Sequence, residues 1–131
     1  MKSSFDILTA LYKALNVTSI TSLIDGEIYK GFVPAKSQLQ DIEINTLVNK
    51  NEYLQSGYVN VNFYCMQLIE GVPDNAKLNQ VNNALMAIID NKVIDDIHFD
   101  VENQSGALKD REVGRDGLYF TNLKVKFNTL N

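Results

Sequence analysis

The stretch GYVNVNFYCMQ, residues 57–67, alternates almost without a break. Val59, Val61, Phe63 and Cys65 take one side, and Tyr58, Asn60, Asn62, Tyr64 and Met66 take the other. Side chains on a strand alternate with period two, so the pattern predicts a strand with one face for the core. Its second face, two tyrosines, two amides and a methionine, is not a typical solvated surface. It reads either as a sheet face covered by a helix or by the loop over 49–56, or as a protein interface. Tyrosine and methionine are enriched at interfaces, and lysine, aspartate and glutamate are depleted.

Working outward, residues 39–48 alternate again: Ile42, Ile44, Thr46 and Val48 against Asp41, Glu43, Asn45 and Leu47. This predicts a second strand, joined antiparallel to the first through the polar run NKNEYLQSG. Upstream, Phe5, Leu8, Leu11, Tyr12 and Leu15 recur at helical spacing, which predicts a helix over 4–16, and Ser3 with Asp6 forms a capping-box pattern. Between helix and strand come a helical turn near Ile20, Leu23 and Ile24, a turn at Asp25–Gly26, a brief strand over 28–32 and a break at Pro34.

Downstream, Leu78, Val81, Leu85, Ile88 and Ile89 mark one face of a second helix, capped by Asp74 or Asn75, with Asn79, Gln80, Asn82 and Asn83 facing away. VIDDIHFDVEN predicts a strand with Val93, Ile97, Phe99 and Val101 on one face and Ile94, Asp96, His98, Asp100 and Glu102 on the other. GLYFTNLKVKFN predicts the last strand, with Tyr119, Thr121, Leu123, Val125 and Phe127 opposed to Leu118, Phe120, Asn122, Lys124 and Lys126. These two strands are expected to pair antiparallel, acidic row beside lysine row, around a glycine- and charge-rich segment, 103–116, read as a long mobile excursion. The predicted fold class is α+β: one domain over 1–131, with a single mainly antiparallel sheet of four to five strands and two helices packed on one face.

Composition narrows the function classes. A chain of 131 residues, 45% hydrophobic and 21% charged, can bury a globular core. Sixteen acidic against 12 basic residues give a formal charge of -4, without the electrostatic footprint of a nucleic-acid binder, so no sequence-specific nucleic-acid binding is expected. No apolar run is long enough to span a membrane, the first residues do not read as a signal peptide, and a reducing intracellular origin is expected. The single cysteine, Cys65, excludes a disulfide within the chain and a cysteine-based zinc site, and is expected to be a buried small hydrophobe.

The only histidine, His98, lies between Asp96 and Asp100 on one strand face, but residues two apart on a twisted strand diverge, so a solvated polar face is the better reading than a metal site. Cys65 and His98 are expected on opposite faces, and no GxSxG, phosphate-loop or GxGxxG pattern occurs. No catalytic, metal or cofactor-binding residue is assigned, no cofactor is expected, and the chain is not expected to be an enzyme. The candidate residues are instead those of a subunit interface: Tyr58, Asn60, Asn62, Tyr64 and Met66, joined by Leu118 and Phe120 on the outer face of the last strand. Two large apolar residues there imply a partner, or the glycine-rich excursion folding over them.

Taken in order, these elements resemble the tail-terminator (tail completion) family of long-tailed bacteriophages. The resemblance rests on ILTALYKAL, LIDGEIYKGFVP, EINTLV, GYVNVNFYCM, LNQVNNALMAII and GLYFTNLKVKF. It implies a sheet flanked by helices, assembly into a six-membered ring stacked on the tail tube, and a non-enzymatic role in stopping tube growth and joining the head. The partners it implies are further copies of the chain, the tail tube protein and the head-tail connector, in a virion assembled in the bacterial cytoplasm. A net negative charge suits a ring through which DNA slides, since a basic lining would retain it. The alternatives are another neck or tail-assembly protein such as a head-closure protein, or a small-ligand binding module or enzyme. The last would need a cavity with converging polar groups such as Tyr119 and Thr121.

Overall fold

The alternating stretch lies in the strand around which the sheet is arranged. In the computed structural model, which describes residues 2–46, 53–54, 56–112 and 114–130 (53–54 by backbone alone), the chain runs β1 (Lys2–Ser3), α1 (Ser4–Leu15), α2 (Thr18–Thr21), β2 (Ile28–Lys30), β3 (Ile42–Thr46), β4 (Tyr53–Leu54), β5 (Ser56–Met66), α3 (Asn75–Ile89), β6 (Lys92–Ile94), β7 (Ile97–Lys109) and β8 (Leu118–Thr129). β1 and β4 form a small antiparallel pair. The other six strands form one sheet in the order β2-β3-β5-β8-β7-β6. The architecture is α+β as expected, but the sheet is mixed and has six strands: β2 and β3 are parallel, joined by the crossover 31–41, and every other neighbouring pair is antiparallel.

Packing follows the period-two pattern. Ile42 and Ile44 of β3, Val59, Val61, Phe63 and Cys65 of β5, Ile97 and Phe99 of β7, and Leu123, Val125 and Phe127 of β8 are buried on the inner face. Against them lie Ile7, Leu11 and Leu15 of α1 and Leu78, Val81, Leu85 and Ile89 of α3. Both long helices are capped as their sequences predict. The Ser3 and Asp6 side chains exchange hydrogen bonds with each other's backbone amides, and Asp74 Oδ1 accepts from the Lys77 amide at 3.1 Å. Burial pushes the Cys65 thiol above its ordinary pKa, with Asp74 adding to the effect.

Four expectations are corrected. The strand over 93–102 is a hairpin, because Asp95 and Asp96 both adopt positive φ (51° and 62°) and reverse the chain between β6 and β7. Aspartate tolerates this conformation better than most residues, and a two-residue loop needs it. Val93 is thereby removed from the core face. Second, β7 extends to Lys109 and stays paired with β8, so most of the expected excursion is strand, and only 110–117 forms the loop. The longer pairing is achieved with two bulges, each placing one extra residue in β7, between Val101 and Asn103 and between Ser105 and Leu108, with Ala107 at φ 52°. Third, the acidic and lysine rows meet only where Asp100 stands opposite Lys126; Lys124 instead lies over the Tyr58 ring, 4.3 Å from its centroid. Fourth, Asn82 does not face away from α3's core stripe but is buried within it. The expected strand positions Leu47 and Val48 and most of the loop over 49–56 lie outside the described residues.

β6 covers only the first residues of β7. Beyond it, the Val101 amide is taken by Asp90 Oδ1 at 3.0 Å and the Gln104 amide by Asn103 Oδ1 at 2.8 Å.

Candidate functional site

The outer face of the sheet carries the interface candidates. Register places Tyr58 opposite Lys126, Asn60 opposite Lys124, Asn62 opposite Asn122, Tyr64 opposite Phe120 and Met66 opposite Leu118, with Glu43 and Asn45 of β3 beside Asn62 and Asn60. All seven candidates are thus brought onto one surface. They are not equally open: Tyr58, Asn60, Met66 and Phe120 are half-buried, whereas Asn62, Tyr64 and Leu118 are buried by the chain itself.

The amides along this face bond to one another. Asn122 Nδ2 donates to Asn62 Oδ1 at 2.7 Å and Asn60 Oδ1 at 3.2 Å, and Asn60 Nδ2 donates to Asn45 Oδ1 at 3.3 Å. The row ends at Glu43, whose Oε1 accepts from Asn45 Nδ2 (3.0 Å), Tyr64 Oη (3.3 Å) and Asn62 Nδ2 (3.4 Å), while Oε2 accepts from the Val33 amide (3.1 Å). Four donors on one carboxylate are what allows a charge to be buried there. Alternation placed these residues on a common face. That they bond to one another follows from strand register, which the pattern does not specify.

What covers the end of this face is a lid of two loops. Arg115, only 1% exposed, lies with its guanidinium carbon 4.7 Å from the Tyr64 ring centroid; its Nε donates to Asp110 Oδ2 at 2.6 Å and its Nη1 to the Ser37 carbonyl at 2.8 Å. The loop 110–117 is thereby tied to the crossover 31–41, where Ser37 Oγ donates to buried Asp41 at 2.6 Å. Beneath, Tyr64 packs on Phe120 with ring centroids 5.2 Å apart. Leu118 is fully buried but separate from the main core. Of the two residues, Leu118 is covered within the chain itself, whereas Phe120 stays half-buried. Burial, then the nearby carboxylates of Glu43 and Asp110, push the Tyr64 hydroxyl well above its ordinary pKa, opposed by Arg115. Arg115 itself gave no signal in the sequence, where RDG reads as a turn.

His98 sits on the same outer side at the far end, its Nε2 2.9 Å from Asn91 Oδ1 and its Nδ1 3.5 Å from Asp100. It shares no site with Cys65, which faces the core.

Behind the sheet, the N-terminal half of α3 and the second bulge of β7 enclose a cleft of about 460 Å³, walled by Leu78, Asn79 and Asn82, by Gln104 and Ala107, and floored by Thr121. Asn82 Nδ2 donates to Gln104 Oε1 at 2.7 Å. Thr121 is in the place a binding module would require; Tyr119 lies in the core and is not part of the walls. Asn82 was legible in principle, since it falls four residues after Leu78 and three before Leu85 on the helix. No protein-family model matches the chain, and no curated protein matches it in sequence.

Proposed function

We propose that the protein is a ring-forming structural component of a bacteriophage tail, which caps the tail tube and joins it to the head-tail connector without catalysing a reaction. The element order, with a helix and a helical turn, three strands of the main sheet, a helix and three closing strands, agrees with the helix-flanked sheet that the resemblance to the tail-terminator family implies. The observation that carries the ring is a pair of exposed apolar side chains at the two edges of the sheet. Phe32, 83% exposed, follows β2 at one edge of the six-stranded sheet, and Val93, 58% exposed, stands on β6 at the opposite edge. A closed ring uses two different patches per subunit, each meeting the other on a neighbour, and large exposed apolar residues mark such contacts. Along the outer face, Tyr58, Asn60, Met66 and Phe120 contribute to that contact, while Asn62, Tyr64 and Leu118 support it from beneath.

The test is a mixing experiment. Light scattering over a concentration series, with negative-stain imaging, should give a six-membered ring for the native chain and a monomer for Phe32→Asp and for Val93→Asp separately. Each variant keeps one intact patch, so their mixture should give a heterodimer and nothing larger. Native protein that stays monomeric and fails to cap purified tail tubes would sink the reading.

A further inference from the structure

The cleft between α3 and the bulged part of β7 differs from the rest of the inner side of the sheet, which is aliphatic and aromatic. Its polar walls are uncharged throughout: Asn75, Asn79, Asn82, Gln104 and Thr121. Two of their atoms, Asn82 Oδ1 and Thr121 Oγ1, belong to residues 6% and 3% exposed and have no hydrogen-bond partner among the described residues. Leaving a buried polar group unpaired is costly, and the cost is avoidable here. Valine at 121 on β8 would fill the same volume opposite Phe63 of β5, and an aliphatic residue at 82 would continue the stripe of Leu78 and Leu85. The bulge acts to the same end. It puts an extra residue into β7 and holds Ala107 at positive φ, and Gly106 and Ala107 line the opening above Thr121.

We propose that this cleft is a binding site for a neutral saccharide. A charged ligand would find no ionisable side chain in the walls to replace its hydration. A hydrocarbon would bury the two stranded oxygens without pairing them. Both oxygens are closed off from solvent in the free protein, so a ligand reaches them by parting the Asn82–Gln104 bond. A sugar hydroxyl both donates and accepts, so adjacent hydroxyls can replace that bond, donate to Asn82 Oδ1 and pair with the Thr121 hydroxyl in either sense. The exposed carboxamides of Asn79 and Gln104 stand at the mouth for further hydroxyls, and Leu78 and Ala107 offer apolar surface to the C–H face of the ring. The volume, about 460 Å³, falls within the range of small-molecule sites. This site is separate from the surfaces assigned to ring assembly.

The test is titration of the isotope-labelled full chain with glucose, galactose, mannose, N-acetylglucosamine and N-acetylgalactosamine, each taken to where millimolar binding saturates. The side-chain amide signals of Asn79, Asn82 and Gln104 report the site. At least one sugar should shift all three saturably. The near-isosteric Thr121→Val should weaken that sugar about tenfold, and Asn79→Ala, at an exposed position, about threefold. If the natural source is a free sugar, the monomer binds as tightly as its oligomers; if it is a glycan, the oligomer binds more tightly. Absence of a saturable shift with every sugar, or affinity unchanged in both variants, would overturn the proposal.

Discussion

Arg115 ties three parts of the molecule together, and its removal gives the sharpest test of the buried outer-face cluster. In Arg115→Met the aliphatic volume is largely kept, while three interactions disappear: the 2.6 Å ion pair with Asp110, the 2.8 Å bond to the Ser37 carbonyl and the stacking over Tyr64. Asp110 would keep one donor, the Glu112 amide at 2.9 Å, in a site it shares with the buried carboxylate of Glu43. Removing one member of a buried pair costs about 3–5 kcal/mol, because the other charge is left without compensation. With a urea dependence of about 2 kcal/mol per molar, the unfolding midpoint should fall by about 1.5–2.5 M. Hydrogen exchange should show the loss first in the amides of 110–117 and 31–41. Asp110→Asn on the Arg115→Met background should restore most of the midpoint, since the uncompensated charge is then gone. A single variant within about 0.5 kcal/mol of the native protein would refute the cluster as a source of stability.

Two further outcomes are expected. Leu85→Ala, at a fully buried position of α3, should destabilise by about 2–5 kcal/mol in the same denaturant assay. Tyr64 has a folded-state pKa raised by burial, Glu43 and Asp110, so its stabilisation is complete below the ordinary tyrosine value near 10 and is lost as pH rises above it. Tyr64→Phe should therefore unfold less steeply with alkali than the native chain; identical alkaline limbs would place the sensitivity in another group.

Much of the fold was legible because its elements obey single local rules. Alternation over 57–67 marked the core face of β5 residue by residue, helical spacing marked the stripes of α1 and α3, and Ser3, Asp6 and Asp74 announced the caps. What escaped depends on information that local patterns do not carry. The Asp95–Asp96 reversal looks like two more strand residues until one asks which of them tolerates positive φ. The full length of β7 was hidden because its distal residues are exposed and interrupted by two bulges, so no alternation survives. The short strand over 28–32 was read, but not its parallel pairing with β3, which depends on the crossover 31–41, a tertiary event. At the candidate site, alternation named the outer row, but not the Glu43 hub or the Arg115 lid, which join residues up to 78 positions apart in sequence.

The side-chain caps on β7 have a consequence for the proposed ring. Along β7, a sheet border whose amides are engaged by Asp90 and Asn103, and which is then broken by a bulge, offers a poor template for a seventh strand from another molecule. Main-chain pairing is indifferent to sequence and has no built-in stopping point, which is how fibrils grow. In the ring proposed above, neighbours would then not pair backbones along β7 but meet there through side chains, whose geometry sets the angle between subunits and so the number that closes the ring.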